Sequence, residues 1–267
     1  MSDYTTEELM AVAVSRDLVD GDVCFIGLGT GGRGFTYAVG IPSIGIALAQ
    51  RRGLDVTAQY GVMMETVIED VPQGISDPEL LGWQCRALLP VETCLDMFRC
   101  GRVDWGFMSA AQVDQYGNVN GVCIGSREHP RVRLVGPIAQ PDHSAHARHT
   151  MIIVPHEARV LVERVDFIAG VGFGTGPGFR ERYGLPGGGP ARVITDCAVL
   201  GFDPETRRMR VDSLHPDASP ADIAQRTGFR LPVDPRVPRT APPSAAEVAL
   251  IRNELDRRGV WLRGAMR

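Results

Sequence analysis

Apolar residues recur at helical spacing early in the chain, where Leu9, Val12, Ala13 and Leu18 or Val19 follow Thr5 and Glu8, a pair that reads as a capping box. The pattern predicts an amphipathic helix ending near Gly21. Residues 22–28, DVCFIGL, form a compact apolar run and read as a buried strand. Pro42 then starts a helix through Ile44, Ala47 and Leu48 to Arg52, which Gly53 ends. A short strand at 55–58 follows, and Gln59, Tyr60 and Gly61 read as the turn after it. Residues 67–81 hold two prolines and a glycine and read as a surface excursion.

Farther on, a helix over 91–100 places Val91, Leu95 and Phe98 on one face. Strands are expected at 105–110, 119–124, 151–154 and 165–169, with Tyr116, Gly117 and Asn118 as a turn. Residues 170–190 carry too many glycines and prolines for a regular element and read as a long loop, ordered or disordered, of the kind that is usually functional. Residues 191–200 and 209–213 read as a hairpin. Ser219 and Pro220 start a helix to Thr227, and Ser244 with Glu247 starts a last one to Arg258. This alternation predicts an α/β fold, an open, mainly parallel sheet flanked by helices. It reads as one domain over 1–267, with 232–267 as a proline-rich link and C-terminal helix.

Composition narrows the function. The chain has 267 residues, 44% of them hydrophobic, which is enough for a sizeable core. A net charge of -4, with arginines scattered and no dense basic run, argues against a nucleic-acid surface. No apolar run approaches the roughly 20 residues of a membrane span, and no signal-type segment opens the chain, so a cytoplasmic protein is expected. The six cysteines are far apart with no CxxC pair, a pattern that suits reduced, buried thiols.

The run GLGTGGRG follows the first strand, and Gly27, Gly29 and Gly32 match the spacing of a dinucleotide loop. Two features argue against that use. Residues 35–42 intervene before the expected helix, and no acid stands at the end of the second strand to hold a ribose. His143, His146 and His149 are spaced as HxxHxxH, which fits neither a helical nor a strand metal site, so no metal is expected.

Several stretches in order, DYTTEELMAVA, AQVDQYGNVN, IGSREHP, GPGFRERYGLPGGGP, FDPETRRM and SPADIAQRTGF, together resemble the class I coenzyme A transferases, specifically the β subunit of the glutaconate type. The resemblance implies a CoA-transferase-like fold, an α-type partner subunit in a heterodimer that doubles to α2β2, and an acyl-CoA substrate. Coenzyme A then enters as part of the substrate, with no permanently bound cofactor. In that family a glutamate in a Glu-x-Gly turn attacks the thioester and becomes an enzyme-bound glutamyl thioester. Aligned on Gly61, its position here is Gln59.

An amide is a poor nucleophile, so the resemblance implies hydrolysis or carbon–carbon cleavage rather than CoA transfer. Family relatives lacking the glutamate include ring-opening hydrolases and decarboxylases. A conventional transferase for a dicarboxylic acid, with Glu65 as nucleophile, and a non-catalytic subunit completing an α partner's site are the alternatives. A second departure is the segment from Gly136 to Asp142, where two prolines replace backbone donors of a glycine-rich loop expected to face the thioester oxyanion.

The candidate catalytic residues are therefore Gln59, as an amide donor to an oxyanion or carbonyl, Glu65, and His143, oriented by Asp142. Tyr60, Gly61 and Gln140 are expected to line the substrate site. Arg180 and Arg182 are expected to hold a carboxylate or a CoA phosphate through a planar fork.

Overall fold

The computed structural model describes residues 3–27, 32–66, 82, 84–137 and 139–263. The chain divides into two compact units, 1–108 with 242–267, and 109–241.

The first unit opens with α1 (Thr6–Asp17), capped reciprocally by Thr5 and Glu8 as the sequence predicts. It ends before Gly21, and Leu18 is buried while Val19 is exposed. Strand β1 (Val23–Ile26) follows. The expected helix at Pro42 begins earlier, as α2 (Arg33–Phe35) directly after Gly32, and runs through a π-helical turn (Thr36–Gly40) into α3 (Ile41–Arg51). A proline inside a helix lacks a donor, and its ring clashes with the preceding turn. Here the wider turn, closed by the Ile41 N–H on the Thr36 oxygen, takes up that conflict. The supposed interruption at 35–42 is therefore helical. Gly45 lets α3 approach α1, since a Cβ there would lie 2.5 Å from a Val14 methyl.

Strand β2 (Thr57–Tyr60) pairs in parallel with β1, and the chain turns at Gly61 into antiparallel β3 (Met63–Thr66). Gln59 and Tyr60 thus belong to the strand, and the turn begins at Gly61, with φ 55°. Next come β4 (Cys85–Leu88), α4 (Val91–Arg99) and β5 (Trp105–Met108). The buried face of α4 is Cys94 and Phe98, while Val91 is exposed. The sheet order is β5-β1-β2-β3-β4, parallel at β5-β1-β2 and antiparallel beyond. Residues 28–31 of the glycine run and the excursion at 67–81 lie outside the described residues.

The second unit contains β6 (Gln112–Asp114), β7 (Val119–Asn120), β8 (Cys123–Gly125), β9 (Pro130–Arg133), α5 (Gln140–His146) and β10 (His149–Ile153). After these come β11 (Leu161–Val162), α6 (Phe179–Arg182), β12 (Pro190–Ile194), β13 (Ala198–Phe202), β14 (Met209–Leu214) and α7 (Pro220–Arg226). Its main sheet runs β14-β13-β12-β10, with small sheets β11-β6-β7 and β8-β9. The expected strand at 119–124 is split between the two small sheets, that at 165–169 is irregular, and 191–200 is two strands. The loop at 170–190 is ordered and holds the one-turn α6.

Residues 242–263 return to the first unit as α8 (Ala245–Leu250), capped by Ser244 and Glu247, a π turn (Ile251–Leu255) and α9 (Val260–Arg263). The expected single helix to Arg258 is therefore interrupted. No helix among the described residues is long and apolar enough to cross a membrane.

Candidate active site

Strands β1, β2 and β5 are parallel, so their carboxyl ends at Ile26, Tyr60 and Met108 share one edge of the sheet. The chain leaves β1 toward β2 on one side and enters β5 on the other, the topology that opens a crevice in α/β folds. Successive residues of β2 face opposite sides. Gln59 is level with Phe25, whose ring packs edge-on against Phe98 of α4 at 4.8 Å, so Gln59 lies under α4. Tyr60 faces α3, where its hydroxyl lies near Ser43 and its ring approaches Trp261 at 6.3 Å. Burial pushes its phenol well above the usual value. Tyr60 is therefore a core residue rather than the expected substrate donor.

Gln59 is wholly buried. Its Nε2 donates to the Gly61 oxygen at 3.1 Å, and its amide also bonds the Cys94 thiol. Burial pushes the Cys94 thiol up and the Gln59 bond pulls it partly back. The amide Oε1 has no hydrogen-bond partner among the described residues. That reverses the expected role: the amide donor is engaged, and the open valence is an acceptor.

Glu65 does not converge on Gln59. It is level with Arg86 between the pairs Met64/Ala87 and Thr66/Cys85, and both its oxygens accept from the Arg86 Nη1, at 3.0 and 3.1 Å. It lines a cavity of about 990 Å³ with Ala58, Thr66 and Trp261, on the α9 side of the hairpin rather than the α4 side.

The other candidates are in the second unit. Gly136 has φ 106°, and its N–H donates to the Gly121 oxygen, so it is not an open oxyanion donor. Ile138 lies outside the described residues. Pro141 occupies the first turn of α5, where a missing N–H costs nothing. The Gln140 Nε2 bonds the Ser109 oxygen at 2.8 Å, which makes Gln140 an anchor of that turn rather than a free substrate ligand, although its Oε1 is unpartnered among the described residues. His143 is buried on α5. Adjacent helical residues project about 100° apart, so Asp142 does not orient it as expected. His146 shares the helix and His149 opens β10. No metal-holding group of His, Cys, Asp or Glu occurs among the described residues.

Arg180 corrects the sequence reading most plainly. Its Nε donates to the Gly187 oxygen, Nη1 to Val171 and Gly172, and Nη2 to Ser144 and Ala145, at 3.0–3.3 Å. A guanidinium has five N–H donors, and here each meets a backbone carbonyl. No fork remains for a carboxylate or phosphate, and Arg182 is exposed.

Sequence reasoning missed the polar side chains of AQVDQYGNVN. The Asn118 amide donates to both Asp114 oxygens and the Gly174 oxygen, and its Oδ1 accepts from the Gly172 and Gly174 N–H groups. Asn120 likewise bonds Gln112 and the Cys123 oxygen. These residues read as a signature, but Asn118 pins the glycine loop and Asn120 ties β6 to β8. The only signal of that role was Asp114 and Asn118 bracketing a Gly117 turn.

The Coenzyme A transferase family model matches residues 90–226. The chain is 33% identical to the β-type subunit of 3-oxoadipate CoA-transferase of Pseudomonas knackmussii, over 94% of each chain. It is 30% identical to the cholesterol ring-cleaving hydrolase IpdB subunit of Mycobacterium bovis, over 57% of this chain and 62% of that one. Its structure is similar to that of glutaconate coenzyme A-transferase from Acidaminococcus fermentans, with TM-score 0.85 and 30% identity over 97% of this chain and 98% of the other. It is also similar to the decarboxylase AibA/AibB, with TM-score 0.74 and 27% identity over 94% of each chain. With its α/β sheet, its signature segments and these likenesses over nearly its whole length, the chain belongs to the coenzyme A transferase family.

Proposed function

We propose that this chain is the β-type subunit of a heteromeric enzyme that cleaves an acyl-CoA by hydrolysis or carbon–carbon bond scission, rather than passing CoA to a second acid. Gln59 carries the reading. A carboxylate in its pose would set negative oxygen against the Gly61 carbonyl, whereas the amide donates to it at 3.1 Å. The turn is built around a donor, and a donor amide is not a nucleophile. Glu65, the other carboxylate nearby, is held by Arg86 on the other side of the hairpin. Relatives named as a ring-cleaving hydrolase and a decarboxylase support the same direction. The decarboxylase is named as an AibA/AibB pair, which supports an α-type partner of the same family here. Coenzyme A enters this reaction only as part of the substrate.

The test is a trapping experiment on the assembled heteromer, incubated with acyl-CoA and a labelled acceptor acid, then treated with borohydride or hydroxylamine. Acyl-CoA should be consumed without dependence on the acceptor, giving free CoA on hydrolysis or an altered acyl-CoA on carbon–carbon scission, and no thioester should form on this chain. A trapped glutamyl thioester, at Glu65 or elsewhere on it, overturns the proposal. In Gln59→Glu, the Gly61 oxygen favours the protonated acid, so any transferase activity gained should grow as pH rises.

A further inference from the structure

We propose that the glycine loop of the second unit holds a binding site for a phosphate-type oxyanion, with Arg207 as its cation. A cavity of about 300 Å³ is lined by Phe173, Gly176, Gly178, Gly187, Gly188 and Arg207, together with the saturated Arg180 and the exposed Glu181. A Cβ at Gly187 or Gly188 would collide with the Ala147 or Arg148 oxygen, so close packing requires those two glycines, and of the four only Gly178 has open space where a Cβ would stand. The Arg207 guanidinium lies over the Phe173 ring at 5.0 Å from its centroid, half-buried, and makes no hydrogen bond to protein among the described residues. Stacking on an aromatic ring holds the planar cation while leaving its in-plane N–H groups available.

The backbone supplies an independent reason to look for a use of this side chain. Arg207 has φ 58°, a left-handed conformation, at the end of the loop joining β13 to β14. That loop closes through the Arg207 N–H on the Asp203 oxygen and the Asp203 N–H on the Arg208 oxygen. Gly or Asn would take the left-handed position with less strain. An arginine there is explained by what its head group does, and the head group points to an anion. The nearby Glu181 carboxylate opposes anion entry, and the Gly176, Gly187 and Gly188 N–H groups already donate to the Phe173, Ala145 and Arg148 oxygens, so the site suits an oxyanion small enough to be held by the Arg207 guanidinium itself.

The experiment titrates the full-length chain with inorganic phosphate, with coenzyme A and with 3′-dephospho-coenzyme A by calorimetry, comparing wild type with Arg207→Gly and Arg207→Asn. Saturable binding to wild type, weakened tenfold or more in both variants, is expected. Both variants should keep or raise the melting temperature, because the left-handed strain is relieved. Coenzyme A binding tighter than phosphate, with that advantage lost in Arg207→Gly, identifies the anion as a phosphate of a cofactor tail. Equal binding of the two identifies a free oxyanion. No binding to wild type overturns the proposal. So does unchanged affinity in the variants, and if their melting temperature also falls, Arg207 is a clamp on Phe173.

Discussion

Arg180 and Gln59 are both polar, both buried and both beside glycine-containing turns, yet they are satisfied to different degrees. Every N–H of Arg180 meets a carbonyl from the segments 144–145, 171–172 and 187. Gln59 leaves Oε1 open among the described residues. A saturated buried group stabilises structure, and an open one marks a place where a ligand or partner can complete the valence. The difference separates scaffold from candidate chemistry better than residue type does, since an arginine near glycines reads as the better anion binder from sequence.

The sharpest break of this comparison is Arg180→Ala. It strips partners from several buried carbonyls at once, each costing about 1–3 kcal/mol, so a total loss of at least about 3 kcal/mol is expected in urea denaturation. Arg180→Lys should recover little, because an ammonium cannot reach carbonyls spread around a planar fork. A variant of near wild-type stability would show that the loop does not depend on this saturation.

A second saturated group adds a pH dependence. His156 is fully buried, with Nδ1 at 2.9 Å from the Thr195 hydroxyl and Nε2 at 2.9 Å from that of Thr227. Burial pushes its pKa down to about 4, with Arg226 and His215 acting in the same direction and Asp196 against it. Burial also lowers His215, which bonds Thr240 and the Thr195 oxygen. A histidine depressed in the folded state contributes stability that is present above its ordinary value of 6.5 and is lost as pH falls toward 4. For His156 alone the loss approaches roughly 3 kcal/mol below pH 4. Denaturation midpoints measured between about pH 7.5 and 4.5 should fall, with a shallower slope in His156→Gln. An equal slope in that variant would assign the acid sensitivity elsewhere.

The parts of this fold legible in the sequence were those specified locally. The pairs Thr5/Glu8 and Ser244/Glu247 cap their helices as reciprocal boxes, because both partners are three residues apart and need no tertiary help. The hairpin between β12 and β13 was not legible. Its turn carries no Gly or Pro and is built by the Thr195 hydroxyl, which accepts from the Cys197 and Ala198 N–H groups. The strand through Gln59 was placed two residues short, since pairing with β1 and β3 extends it past its β-branched residues. Position 59 itself is singled out only through the family's spacing to Gly61. Its donor bond is not, because a hydrogen bond to a turn carbonyl leaves no mark on composition. The role of Arg180 was hidden for a related reason: two of its carbonyl partners lie in α5 and only the fold brings them near.

The smallest expected effect on stability is also the most informative about the site. Gln59→Met keeps the length and volume of the side chain but removes an acceptor that no described residue satisfies and a donor that holds the Gly61 oxygen. Relief of the buried, unpaired Oε1 is of order 1 kcal/mol and opposes the loss of the bond to the Gly61 oxygen and of the weaker one to the Cys94 thiol, so stability should change by less than about 1 kcal/mol. Turnover of acyl-CoA by the heteromer should nevertheless fall tenfold or more if Oε1 completes its valence on substrate or water. Paired measurement of the denaturation midpoint and the rate of acyl-CoA consumption decides the matter. Unchanged turnover would mean that Gln59, like Arg180, only holds its turn, and that the chemistry belongs to the partner subunit.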